Sequence, residues 1–392
     1  MIGRLVAALS IACAGMASAQ GLSGPSSVEA ELKPGDGLTD PQYRSEFPHN
    51  IAPGWFRWKD RLAEGGFRFN VDYLALGQST NADLGTGEAA GGIARVYGSW
   101  QATERGSLTF KIEDRHGYTD VAPQFLGLDG GALSITGTAF NDNGLLLTNL
   151  FWTQRAENGA WTLQVGQIDV TDFVDIYGLV SPYSGFQNLS FNTNPTINTP
   201  NQGIGIAGGI KLNENFYAVA SVADANADPS DPSLDVFSDG NLFKSFEIGY
   251  TSGFDRIYFD NIHLTLWHAD AADDGSRAED YGGVFSAAWF VDNKWMPFFR
   301  AGASKGTAAL YDRSVSAGLG YYGRNTDLAG LGLNWAEARG IDGGQFTLEA
   351  FYRFSISPGL QITPSLQFIS NPLLNPNQDS ITLFSLRTRI VF

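Results

Sequence analysis

The feature that most constrains this chain is the spacing of its period-two segments. From residue 67 onward, polar and apolar residues alternate, and the pattern predicts sixteen strands. The first eight fall at about 67–78, 92–103, 106–116, 144–155, 160–169, 202–211, 215–224 and 243–252. The second eight fall at about 259–269, 280–291, 295–304, 313–322, 327–337, 346–355, 359–370 and 381–392. Short connections (104–105, 156–159, 212–214, 253–258, 292–294, 323–326, 356–358) alternate strictly with longer ones (79–91, 117–143, 170–201, 225–242, 270–279, 305–312, 338–345, 371–380). A sandwich or propeller has no reason to show this. An antiparallel barrel with turns in one compartment and loops in the other does. A strand of about 11 residues at 3.3 Å each, tilted near 45°, rises about 25 Å, the height of an outer-membrane apolar band. The expected fold is therefore all-β, a 16-stranded antiparallel transmembrane β-barrel over 67–392, with short periplasmic turns and longer extracellular loops.

Composition agrees. The 47 glycines and 13% aromatics, against 17% charged residues, favour extended structure over helix. The 25 basic and 41 acidic residues give a net charge of −16, which excludes nucleic acid as a partner. No uncharged apolar run beyond the N-terminus is long enough for a membrane helix. The N-terminus has Arg4, an apolar run from Leu5 to Met16, and Ala17-Ser18-Ala19 before Gln20, which predicts an export signal over 1–19. The only cysteine, Cys13, lies in that run, so the mature chain has no disulfide. Residues 20–66 are expected to form a periplasmic segment. Within it, 21–50 reads as a flexible lead-in, and Pro53 opens a short helix ended by Gly65-Gly66.

Facing decides function. The third strand sets Leu108, Phe110 and Ile112 against Thr109, Lys111, Glu113 and Arg115, and the last sets Phe384, Leu386, Ile390 and Phe392 against Ser385, Arg387 and Arg389. The apolar face carries aromatics near strand ends (Trp161, Trp289, Trp295, Tyr352), as interfacial girdles do. Sixteen strands enclose a lumen too wide for side chains to fill, so a polar lining implies an aqueous channel. The inward cations Arg68, Arg95, Lys111, Arg115, Arg155, Arg300, Arg353, Arg387 and Arg389 outnumber the inward acids Asp72, Glu113, Glu247 and Glu349. Guanidinium groups offer five fixed donors and suit polyhydroxyl solutes and anions alike. The competing reading is that these charges only cross-brace the wall.

Other motifs lack their context. Gly203-x-Gly205-x-x-Gly208 and Gly318-x-Gly320-x-x-Gly323 lie within strands with no helix following, and Gly302-x-Ser304-x-Gly306 lacks a strand-to-helix turn. Asp224-x-Asn226-x-Asp228 starts like a calcium loop, but Pro229 stands where glycine is required. His49, His116, His263 and His268 show no zinc spacing, and no metal or other cofactor is expected.

Residues 160–211 carry VGQxD, then Asp172-Phe173, Phe186-x-Asn188, Asn194-Pro195 and a glycine-spaced strand. This block resembles the carbohydrate-selective porins of the OprB family. The stretch 349–372, with Pro364, Gln367 and Asn371-Pro372, is similar to the family's closing strands. The resemblance implies passive uptake of glucose-like sugars through a sixteen-stranded channel narrowed by loops folded into the lumen. On that basis loops 117–143 and 170–201 form the constriction. Asp169, Asp172 and Asp175 would accept hydrogen bonds from sugar hydroxyls, unless they only cap turns. Phe173, Tyr177 and Phe186 would stack on a pyranose, unless they only pack the loop. The hypothesised pathway is Arg68, Arg95, Lys111, Glu113, Arg115, Asp169, Asp172, Phe173, Glu349, Arg353, Arg387 and Arg389. Expected partners are small carbohydrates, outer-membrane lipids and, through the strand ending in Phe392, the barrel-assembly machinery; a homo-oligomer is left open. The alternatives are a general or anion-preferring porin, an outer-membrane barrel enzyme, and a soluble secreted sugar-binding β-protein.

Overall fold

The computed structural model describes residues 23–33, 43–45, 52–271, 278–323 and 326–392; the expected export signal lies outside them. Sixteen strands form one closed sheet. They are β1 Phe67–Thr80, β2 Glu88–Gln101, β3 Gly106–Gly117, β4 Gly144–Arg155, β5 Trp161–Ile168 and β6 Gly203–Lys211. Then come β7 Phe216–Asp224, β8 Leu242–Thr251, β9 Asn261–Ala269, β10 Asp280–Ala288 and β11 Trp295–Ser304. The last five are β12 Arg313–Tyr322, β13 Leu328–Glu337, β14 Gln345–Ser357, β15 Leu360–Ser370 and β16 Ser380–Val391. Each strand pairs antiparallel with its neighbours in sequence, and β1 closes on β16 in a register running from Asp72 opposite Val391 to Thr80 opposite Leu383. Closure leaves no strand edge unpaired, which is how the chain satisfies its backbone in lipid.

The outer wall is apolar where a water-soluble barrel would be polar. Ile206 and Ile210 on β6, Phe246 and Ile248 on β8, Leu264 and Leu266 on β9, Leu331 and Leu333 on β13, and Phe384 and Leu386 on β16 are all exposed. Hydrocarbon, not water, is the medium such a belt fits. On β3 the belt is interrupted by Asp114 and His116, which bond each other (2.8 Å), with the hydroxyl of Tyr73 2.9 Å from His116 Nε2.

The core sits inside the barrel. Connection 169–202 turns into the lumen and places Val170, Phe173, Ile176, Tyr177, Leu179, Phe186 and Phe191 in one buried cluster with wall residues Tyr217, Trp267, Met296, Phe298 and Phe351. Fully burying a phenylalanine is worth about 1.5–3 kcal/mol, so the insertion is strongly held.

Among the described residues, two short helices precede the sheet, α1 (Val28–Glu31) and α2 (Pro53–Glu64). Pro53 at the first turn and Gly65-Gly66, the latter at φ 83°, bound α2 as the sequence predicts. Trp55 and Trp58 pack edge-on against Phe69, and Lys59 Nζ donates to Asn70 Oδ1 (2.7 Å), seating α2 beside the start of β1. The expected flexible lead-in is corrected over 23–33. These residues lie against lumen walls, with Ser23, Ser26, Ser27 and Val28 buried. The residues have no period, so nothing in the local sequence shows that they pack against the barrel.

Candidate solute pathway

Loop 169–202 is fastened by charges that the alternation placed on the inner face. Asp175, at the base of the loop, is bonded by Arg300 from β11, by His263 Nε2 from β9 (2.9 Å) and by Ser286 from β10. Glu247 from β8 accepts the Asp175 N–H at 3.1 Å. Across the lumen, Glu349 from β14 accepts the N–H groups of Gln187 (2.8 Å) and Asn188 (2.9 Å). Arg387 from β16 donates to the carbonyls of Pro182 (2.6 Å) and Gly185 (2.9 Å). Loop 118–143 joins the same body: Gln78 and Gln367 donate to the Thr136 carbonyl at 2.9 and 2.8 Å, and Asn188 donates to Ser134 at 2.9 Å.

Glycines in the wall make the dents that receive the loop. A Cβ on Gly332 would lie 2.6 Å from Phe191, one on Gly330 2.8 Å from Phe186, and one on Gly320 3.0 Å from Leu179. Within the second glycine triplet of the sequence, Gly320 thus receives the loop, while Gly318 packs against Phe298 of the neighbouring strand. Gly332→Val is expected to cost about 1–3 kcal/mol through overpacking, read as faster proteolysis within 169–202 while the barrel keeps its β spectrum. Unchanged protease resistance would contradict that fit.

The loop's apolar cluster lies against β4–β14, and at the wall of β1–β3 and β14–β16 the same loop is met by polar side chains. There the inner face is a patch of opposed charges. Arg95 on β2 donates to Asp72 on β1 (Nε 2.8 Å, Nη2 2.5 Å), and Arg389 on β16 donates to the same carboxylate at 2.7 Å and to Tyr97 Oη at 3.0 Å. On β3, Arg115 Nε donates to Glu113 at 2.8 Å, and Glu113 accepts the Tyr183 hydroxyl at 2.8 Å. The Arg95 guanidinium lies 3.8 Å over the Tyr183 ring, and Lys111 Nζ is 5.9 Å from it. These groups are buried and satisfy one another, fixed donors beside fixed acceptors, the pairing that hydroxyl groups also offer.

The hypothesised pathway residues therefore divide. Arg95, Lys111, Glu113, Arg115 and Arg389 converge in this patch, with Asp72, Tyr97 and Tyr183 beside them. Arg353 borders a cavity of about 510 Å³ at the short-turn end, together with Lys59, Asn70, Gln361 and Arg389. Glu349 and Arg387 hold loop backbone instead. Asp169 caps its own turn, accepting from Thr171 N (3.0 Å), Thr171 Oγ1 (2.6 Å) and Gln202 (2.8 Å). Asp175 is consumed by its anchors. Asp172 faces Ser26, whose hydroxyl donates to it at 3.3 Å. Arg68, at the turn end of β1, is exposed. One placement is corrected. Phe173 is only 3% exposed and, like Tyr177 and Phe186, packs into the loop core, because an apolar ring gains more there than beside water. Tyr183 is the residue of this patch that sequence reasoning missed; a tyrosine within a folded-in loop has no period to give its direction.

Asp224 and Asp228 accept the N–H groups of Asn226 and Ser230, both at 2.8 Å. Among the described residues no group of three or more potential metal ligands occurs.

Residues 250–392 match the family described as carbohydrate-selective porin, OprB family. Among solved structures, the high-pH structure of Pseudomonas putida OprB aligns with TM-score 0.71 at 13% identity, over 90% of this chain and 99% of that one. Its low-pH structure aligns with TM-score 0.54 at 11% identity, over 90% and 100%. A mutant porin of Rh. blastica aligns with TM-score 0.51 at 11% identity, over 83% and 100%. No curated protein matches the chain.

Proposed function

With β9–β16 and the turn before them matching the carbohydrate-selective porin family and the whole barrel sharing that fold, we propose that this chain is an outer-membrane channel for passive diffusion of small, glucose-like sugars. The observation that carries the sugar preference is the opposed set Arg95, Arg115 and Arg389 against Asp72 and Glu113, on the inner wall beside Tyr183 of the constriction loop. Hydroxyls can exchange with water there without bringing a charge. Selection is weak by necessity, since a solute held tightly would not leave. Residues 1–19 serve as the export leader, 20–66 precede the barrel, and the alternating strand ending in Phe392 addresses the chain to the assembly machinery. A general or anion-preferring porin is the second reading, favoured by the inward arginine excess.

Glucose added to a planar bilayer is expected to reduce the ion current through the wild-type channel in a saturable way. Arg115→Ala, checked for folding by heat-modifiable gel mobility, is expected to weaken that block about tenfold, the effect of one charge-assisted hydrogen bond. A block equal in both proteins contradicts the assignment of this patch.

A further inference from the structure

The buried segment 23–33 meets the pathway residue by residue. The Glu31 carboxylate accepts from Arg95 Nη1 and Nη2 at 3.1 and 3.0 Å and lies 3.3 Å from Arg389 Nη2. Glu29 accepts from Arg155 of β4 at 3.1 Å. The Gly24 N–H donates to the Asp172 carbonyl at 2.6 Å, and a Cβ on Gly24 would touch Ile176 at 3.0 Å. Ser27 caps α1 by accepting the Ala30 N–H at 3.4 Å. With the segment seated, both Val28 and Arg95 are only 1% exposed.

The charges close in pairs. Arg95 and Arg389 face Asp72 and Glu31, two cations against two carboxylates, and one of those carboxylates comes from outside the barrel wall. Without Glu31 the same patch keeps two guanidinium groups on a single carboxylate and becomes an anion site.

We propose that residues 23–33 are a specificity-determining part of the pore, with Glu31 occupying Arg95 and Arg389 so that the pathway favours neutral polyhydroxyl solutes over anions. The inference rests on the porin reading and deepens it. A small anion reaches the two arginines only by displacing a carboxylate tethered to the same chain, an internal competitor at an effective concentration in the millimolar range. A neutral sugar has no charge to exchange with Glu31, so this competition does not exclude it.

The test uses the full chain in planar bilayers under a potassium chloride gradient. Wild type is compared with Glu31→Gln, with Glu31→Asp and with a deletion of 23–33, and folding of each is checked by heat-modifiable mobility. Glu31→Gln and the deletion are expected to shift the reversal potential toward chloride, raising the anion-to-cation permeability ratio about threefold or more. Glu31→Asp should keep the wild-type potential. The deletion should also conduct at least about twofold more, since it removes chain from the lumen. A wild-type reversal potential in both Glu31→Gln and the deletion overturns the proposal, whatever glucose does. A shifted potential in a channel that shows no glucose preference supports the role of Glu31 and overturns the sugar reading instead.

Discussion

Asp175→Ala is expected to loosen the constriction while leaving the barrel intact. Asp175 is a non-glycine residue at φ 52°, 1% exposed, and it is bonded by Arg300, His263 and Ser286 from three adjacent strands. Burial pushes its carboxyl up, but Arg300 and His263 outweigh burial and hold it below the ordinary carboxylate range. Removing it leaves a buried guanidinium and imidazole without their partner, a loss of about 3–5 kcal/mol for a broken buried pair. That loss falls on the loop, because the sheet's own hydrogen bonds are untouched. Single-channel conductance should rise several-fold, and discrimination between a monosaccharide and a disaccharide should fade. Asp175→Asn, which keeps an acceptor, should lie between. Wild-type conductance in Asp175→Ala would show that the loop is held by its apolar cluster alone.

Conductance should also rise with pH between about 4 and 7, through Asp172. Burial, with help from the neighbouring Asp169 and Glu31 carboxylates, raises this loop residue to about 7, against the opposing pull of Lys111 and the hydrogen bond from Ser26. Asn149 donates to its other oxygen at 3.4 Å. The seated form of segment 23–33 therefore binds a proton that the unseated form, with Asp172 in water, gives up near the ordinary carboxylate value. Seating is fully supported below about pH 4, weakens by at most about tenfold per unit as the pH rises, and levels off above about 7. Conductance measured from pH 4.5 to 8 should climb and then flatten, and Asp172→Asn should remove the climb. A flat wild-type profile would contradict it.

The barrel was legible because its information is local. Period two gives each residue its face, and the alternation of connection lengths gives the topology; all sixteen expected strands occur, with ends displaced by a few residues. The inward direction of Arg95, Glu113, Arg389 and Glu349 was legible for the same reason. Their partners were not. Glu349 meets the backbone at Gln187, and Arg300 meets Asp175, across separations of more than a hundred residues that no spacing rule reaches. Loop and N-terminal residues lack a period, so Phe173 could be placed beside a sugar as easily as in a core. Glu29 and Glu31 look like a solvated leader until the arginines opposite them are seen, and Ser26 until Asp172 is. The glycines at 320, 330 and 332 carried a signal that alternation does not read, which was room for another segment.

Liposome swelling with the purified, refolded full chain tests the central claim most directly, comparing glucose, an amino acid of similar size and a larger oligosaccharide. The account predicts faster entry of glucose than of the amino acid and a sharp fall for the oligosaccharide. Equal entry of glucose and the amino acid would contradict it and leave a general porin whose arginines only brace the wall.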